Sequence, residues 1–207
     1  MKLQLALDDM EVEAAIALVE KVEDVIDIIE IGTPFLYQEG MRTVQLFKER
    51  FKGKEVLADM KIMDAGYYET EMALKAGADY VTVLGVTDNL TIQGCVEAAN
   101  VYGKEVVVDM ICVSNLAERL IELEDLGVHG FAVHIGTDQQ VAGRQPIDDL
   151  KVMKACVKGA KVSVAGGISK ATIADYIALQ PEVLIIGSGI THAADAVVAA
   201  REIKERM

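Results

Sequence analysis

The sequence has no tryptophan, and its four phenylalanines and six tyrosines bring aromatic residues to only 5% of 207. Hydrophobic residues still reach 52%, so the interior must be built from Val, Ile, Leu, Ala and Met, a composition suited to buried parallel strands. Cysteine is scarce too. Cys95, Cys112 and Cys156 stand at wide, irregular spacing, which makes neither a disulfide framework nor a zinc pattern and fits a reducing, cytoplasmic setting. With only three prolines and no Ser-rich or low-complexity stretch, nothing marks a linker. No apolar run approaches membrane-spanning length, and the start Met1-Lys2-Leu3-Gln4-Leu5-Ala6-Leu7-Asp8 already carries charge at Lys2 and Asp8. Neither membrane association nor a signal peptide is therefore expected. Positive charge is in deficit, with 20 basic against 33 acidic residues and a net charge of −13. That field repels nucleic acid and anionic lipid. An anionic substrate would have to be met locally, by backbone N–H groups at helix starts or by a metal.

The length fits one domain over residues 1–207, since compact domains commonly run to about 100–200 residues. Short apolar, β-branched runs recur at intervals of roughly 25 residues, each followed by a stretch with helical spacing, which is the pattern of repeated βα units. Eight strands are predicted: Leu3 to Leu7, Val25 to Ile31, Val56 to Met60, Tyr80 to Leu84, Glu105 to Ile111, Gly130 to Ile135, Lys161 to Ala165 and Val183 to Ile186. Apolar residues at i, i+3 and i+4 predict outer helices over Val12 to Glu23, Gln45 to Phe51, Tyr67 to Ala76, Ile92 to Tyr102, Asn115 to Leu126, Ile147 to Val157 and Ile173 to Leu179. Gly77 and Gly127 supply the helix-ending signal of an αβ turn. A doubly wound open sheet is the rival, but eight similar units and no GxGxxG after the first strand favour a closed (β/α)8 TIM barrel.

In such barrels the reactive groups gather at the carboxyl ends of the strands. Asp8 follows the first strand, Glu30 lies near the end of the second, Asp59 and Lys61 near the end of the third with Asp64 just beyond, Asp109 in the fifth, and His134 in the sixth. One acid at a strand end is commonly a helix cap or a solvated loop residue. The group is harder to explain that way, because burying ionised side chains without pairing or a metal costs several kcal/mol. Asp59 and Lys61, two apart on a strand, are expected to share a face. Lys61, set among Asp8, Asp59 and Asp64, should stay charged, which argues against a Schiff base and for a proton donor or fixed positive charge. Glu30 and Asp59 offer hard oxygen ligands of the kind Mg2+ takes, one or two at a time. Stabilisation of an enediolate is a natural use for such a site.

Two Gly-rich turns, Gly166-Gly167 after the seventh strand and Gly187-Ser188-Gly189 after the eighth, each lead toward a helix start. Each alone is an ordinary turn; together they resemble the phosphate site of loops seven and eight. His129, before the sixth strand, reads as structural. His192 either reaches the site or begins the last helix.

The segment Leu57-Ala58-Asp59-Met60-Lys61-Ile62-Met63-Asp64-Ala65-Gly66 carries the DxKxxD motif of the orotidine 5′-monophosphate decarboxylase superfamily. It most resembles the branch containing 3-hexulose-6-phosphate synthase and 3-keto-L-gulonate-6-phosphate decarboxylase, and the resemblance spans essentially the whole chain. It implies a homodimer in which Asp64 is contributed across the interface, Mg2+ on Glu30 and Asp59, Lys61 as the motif lysine, and His134 handling protons at the substrate's C1. The decarboxylases would carry Glu at the end of strand five, Arg soon after the strand-six His and Arg after the strand-eight Gly. This chain has Asp109, Ile135-Gly136-Thr137-Asp138 and Gly187-Ser188. These departures point to the aldol lyase that joins ribulose 5-phosphate to formaldehyde, with Asp109 positioning water or formaldehyde and Arg144 taking up part of the phosphate charge. The alternatives are the decarboxylase itself and a non-catalytic sugar-phosphate-binding protein.

Overall fold

A computed structural model describes residues 1–207. Its eight parallel strands are β1 (Lys2–Leu7), β2 (Ile28–Ile31), β3 (Glu55–Ile62), β4 (Tyr80–Leu84), β5 (Glu105–Asp109), β6 (Gly130–His134), β7 (Lys161–Ala165) and β8 (Val183–Ile186). Each pairs with its sequence neighbours, and β1 pairs with both β2 and β8, so the barrel closes in chain order.

The strand pattern divides the side chains between two environments. Leu3, Leu5 and Leu7 of β1, Ile29 and Ile31 of β2, and Val56 and Ala58 of β3 face outward into a cluster of 46 buried residues between strands and helices. Each such side chain contributes about 1.5–3 kcal/mol by leaving water. Truncating fully buried Leu5 to Ala would cost about 2–5 kcal/mol. The alternate positions line the barrel's interior, where Ile28, Leu57 and Tyr80 form a separate small cluster. The interior also holds polar side chains: Gln4, Glu30, Asp59, Thr82, Asp109 and Ser163 are all buried.

The outer layer comprises α1 (Val12–Val22), α2 (Thr33–Glu39), α3 (Arg42–Arg50), α4 (Gly66–Lys75), α5 (Asn89–Tyr102), α6 (Leu116–Asp125), α7 (Thr137–Val141), α8 (Ile147–Cys156), α9 (Ile173–Ile177), α10 (Ser188–Thr191) and α11 (Ala196–Arg206). Caps mark the longer ones: the Asp88 carboxylate accepts from Leu90 N at 2.8 Å at the start of α5, and Gly103 ends it at φ 61°. None of the helices is long and apolar enough to cross a membrane.

Several boundaries differ from the sequence reading, most by one or two residues, and α5 starts at Asn89 rather than Ile92. β2 begins at Ile28 rather than Val25, because Val25 and Ile26 donate back to Val22 O and close the end of α1. β5 stops at Asp109 rather than Ile111; the Asp109 carboxylate accepts from Ile111 N at 2.9 Å and turns the chain. β3 runs on to Ile62, and α3 starts at Arg42. The short helices α2, α7 and α10 are too brief for periodicity to register.

Candidate active site

The site begins with an irregularity in β3. Ala58 is in register with Val81 and Ile62 with Val83, so β3 takes four steps where β4 takes two. The excess is absorbed at Lys61, which adopts a left-handed φ of 46°, a conformation that costs a non-glycine residue about 1–3 kcal/mol. Simple alternation had placed Asp59 and Lys61 on one face; the structure brings them together through this bulge. Thr82, on β4, pins it. Its hydroxyl donates to Asp59 Oδ1 at 2.8 Å and accepts from Lys61 N at 2.9 Å.

Lys61 Nζ is ion-paired to Asp59 Oδ2 and lies 3.5 Å from Asp109 Oδ2. It also donates to the Thr33 hydroxyl at 3.2 Å, which itself lies 2.8 Å from Asp59 Oδ2. Burial alone would lower the lysine's pKa, but Asp59 and Asp109 outweigh it and hold the ammonium charged, above its ordinary range. The expected neighbours of Lys61 are corrected here. Asp64 is exposed and its Oδ1 accepts from Ala65 N at 2.7 Å, so Asp109, not Asp64, is the second carboxylate at Lys61 within one chain.

Asp109 Oδ2 also meets His134 Nδ1 at 2.8 Å. Burial pushes the Asp109 carboxyl up, but His134, Lys61 and the Ile111 N–H overcome it and leave the group below its ordinary range, ionised. An ionised carboxylate only accepts, so His134 Nδ1 carries the proton and Nε2 is left basic. Asp109 Oδ1 accepts from Ile111 N, and Oδ2 is shared by His134 and Lys61. The carboxylate orients the two groups beside it.

Glu30 is buried at 8% exposure and receives one hydrogen bond, from Gln4 Nε2 to Oε2 at 2.6 Å. Burial, followed by the charges of Asp59 and Asp8, raises its pKa to about 8. Asp8 is raised as well, by burial and then by Asp59. It rests against the turn into α2, where a Cβ on Gly32 would come within 2.0 Å of Asp8 Oδ1; only glycine lets the carboxylate pack there. Ionising Glu30, Asp59 and Asp8 together would gather more negative charge than Lys61 alone balances. Two of them, Glu30 and Asp59, suit a hard divalent cation that completes its shell with water and substrate. No larger group of three or more His, Cys, Asp or Glu side chains converges as a metal cage.

On the opposite side of the mouth, Arg144 meets Gly166 and Gly167 in a cavity of about 200 Å³, together with Gln140, Thr172 and Tyr176. Gln140 Nε2 donates to Ile135 O at 2.7 Å and ties the segment carrying Arg144 to the end of β6. Gly166 sits at φ 111°, and a Cβ there would lie 2.7 Å from Ile135 O. Gly187, Ser188 and Gly189 do not line this cavity. They adjoin it: a Cβ on Gly189 would reach within 2.5 Å of Ile168 O in the neighbouring turn. His192 stands at the exposed rim, 2.8 Å from Asp9. His129 is at the far rim, accepting from Val106 N at 3.3 Å, and is structural.

Sequence reasoning missed Gln4, Thr33 and Thr82. A polar residue at an inward position of an otherwise apolar strand was the available signal for Gln4 and Thr82.

A model of the orotidine 5′-phosphate decarboxylase / HUMPS family matches residues 1–203. The chain belongs to this family. Within it, the chain is 47% identical over 204 residues to a protein of Staphylococcus epidermidis named 3-hexulose-6-phosphate synthase, covering 99% of this chain and 97% of that one. A Staphylococcus haemolyticus protein of the same name is 46% identical over 205 residues, covering 99% and 98%. Among solved structures, 3-hexulose-6-phosphate synthase from Salmonella typhimurium superposes with a TM-score of 0.98 at 55% identity, covering 100% of this chain and 98% of that one. The 3-keto-L-gulonate-6-phosphate decarboxylase of Vibrio cholerae gives 0.86 at 26% identity, covering 99% and 96%. Family membership accounts for the closed barrel.

Proposed function

We propose that this chain is a 3-hexulose-6-phosphate synthase, a carbon–carbon lyase that condenses ribulose 5-phosphate with formaldehyde through a 1,2-enediolate. The observation that carries the reading is that Asp109 joins His134 to Lys61, linking a base with a free Nε2 to a permanent ammonium. His134 Nε2 takes the proton from C1, and the electron pair released there forms the new bond to the formaldehyde carbon. The formaldehyde oxygen becomes an alkoxide and takes a proton from the Lys61 ammonium, which is recharged by the proton that His134 removed from C1. Asp109 is a positioning residue for both. Glu30 and Asp59 would hold Mg2+, which when bound supplies Lewis-acid polarisation of the C2 carbonyl. Arg144 and the backbone of Gly166 and Gly167 take the phosphate, with the turn at Gly187, Ser188 and Gly189 closing that side.

The working unit is a homodimer. Asp64 is exposed next to Met63 at 54% exposure, and Thr87 Oγ1 donates to Met63 O at 2.6 Å, which sets the loop carrying exposed Val86 beside it, an apolar surround that a second copy would cover. Asp64 would then reach the partner's site, beside Asp8. The net charge of −13 disfavours nucleic acid and anionic lipid as partners.

The test is to mix the protein with ribulose 5-phosphate, formaldehyde and Mg2+, and follow formaldehyde with and without EDTA. Consumption that stops with EDTA is expected. No consumption, with CO₂ released from 3-keto-L-gulonate 6-phosphate, would transfer the chain to the decarboxylase reading; tight ribulose 5-phosphate binding without turnover would make it a sensor.

A further inference from the structure

A second cavity, of about 300 Å³, lies not at the mouth described above but at the opposite end of the barrel, among the strand starts. Barrel interiors are normally filled by layers of bulky side chains. Here Ile28, Leu57 and Tyr80 fill the floor from β2, β3 and β4, with Val107 and Val183 against them. On β6 and β7 the lining residues are Gly130, Phe131, Lys161 and Ser163; Phe131 belongs to the outer core cluster and Lys161 reaches out to Glu105, so the small Gly130 and Ser163 leave a hollow on this side.

We propose that this hollow is a second binding site, for a small neutral ring compound carrying one hydrogen-bond donor. The volume lies at the lower end of small-molecule sites, which begin at about 300 Å³. The apolar wall and the Tyr80 ring ask for an apolar body. Charge at the entrance is already matched: Lys2 pairs with Glu55 at 2.5 Å, Lys161 with Glu105 at 2.6 Å, and Glu182 with Lys154 at 3.2 Å. Among these side chains an ionic ligand would therefore find no free partner; Met1, whose α-ammonium makes no ion pair, also lines the hollow. The polar atoms within have committed their protons: Ser163 Oγ donates to Phe131 O at 3.0 Å and Tyr80 Oη to Glu55 at 3.1 Å. These two hydroxyls offer lone pairs, so a donor on the ligand finds acceptors there. Gln4 forms part of the lining and also holds Glu30, which places the hollow one side chain from the candidate active site.

Phenol is the probe, followed by ligand-observed NMR and calorimetry, with toluene as the analogue lacking a donor. One phenol per chain is expected to bind saturably, in the millimolar range that so small a ligand allows, with toluene weaker and ribulose 5-phosphate not displacing it. Gly130→Val fills the hollow: the first atom a Cβ there meets is Lys161 O at 3.4 Å, an ordinary contact, and the strand favours a β-branched residue. Val107→Phe fills it from the neighbouring strand, so binding should be lost in whichever variant melts like the wild type. Absence of saturable binding, its survival in a folded filled variant, displacement by ribulose 5-phosphate, or equal binding of toluene would each overturn the proposal.

Discussion

His134 Nδ1 lies 2.8 Å from Asp109 Oδ2, and the same oxygen is 3.5 Å from Lys61 Nζ. One carboxylate thus sets the tautomer of the imidazole and steadies the ammonium, two tasks that need its full negative charge. Asp109→Asn keeps the shape and removes the charge, and its amide can present a donor to Nδ1. The expected outcome is a fall in kcat of about 10²-fold or more, with KM for ribulose 5-phosphate little altered. Steady-state formaldehyde consumption reads it. A kcat equal to that of the wild type would take Asp109 out of the proton path.

Asp64 and Lys61 are separated by three positions, yet only Lys61 enters this chain's own cluster. If a second copy supplies Asp64, Asp64→Ala and Lys61→Ala should each be inactive alone. Dissociated, mixed and reassociated, they form heterodimers with one intact site, restoring about a quarter of wild-type activity for random pairing of a twofold dimer. No recovery, with mixed dimers demonstrated by mass spectrometry, would place Asp64 outside the site.

Gln4 Nε2 donates the single hydrogen bond that Glu30 receives, at 2.6 Å. Gln4→Leu keeps most of the volume and leaves Glu30 unheld. A partner behind a ligating carboxylate typically controls affinity by about 10–100-fold, so Mg2+ affinity measured by calorimetry should fall by about tenfold. Ser163→Ala, in the same cavity but not touching Glu30, should bind Mg2+ like the wild type. Equal affinity in Gln4→Leu would reduce Gln4 to a packing residue.

The barrel was legible in the sequence because strand and helix periods alternate along it and because glycines punctuate the returns to the sheet. The polar rim was legible because ionisable residues in apolar strands are costly and therefore conspicuous. The wiring between them was not. Nothing in the spacing of Asp59 and Lys61 discloses a bulge that sends Lys61 to a left-handed φ, since the cause is a register shift against β4. Asp109 was located at its strand end, but its contacts to His134 and Lys61 were not legible, because they depend on how closely β3, β5 and β6 approach around the barrel. Thr33 and Thr82 escaped notice for a related reason: a hydroxyl acquires a role only from what closure places beside it. Arg144 is the converse case. It lies far along the chain from Gly166 and Gly167, yet folding brings all three to one cavity.

At the far rim, Asp79 links three neighbouring segments: Oδ2 accepts from Lys48 Nζ at 2.6 Å and Val56 N at 2.8 Å, and Oδ1 from Lys104 Nζ at 2.6 Å. Burial raises its pKa, but the bonds from Lys104, Lys48 and Val56 prevail and hold the carboxyl below its ordinary value. A depressed folded-state pKa means that the unfolded chain takes up the proton first. The stabilisation is therefore fully present above the ordinary Asp value of about 4 and is lost as pH falls through the lower folded value. Asp79→Asn retains an acceptor for Val56 N and loses both ion pairs, whose lysines are partly in water. At pH 7 it should unfold about 1–2 kcal/mol more easily than the wild type. In urea titrations at successively lower pH, below about 4, that gap should narrow. A gap that stays constant would mean that packing around Asp79, and not its charge, supports this end of the barrel.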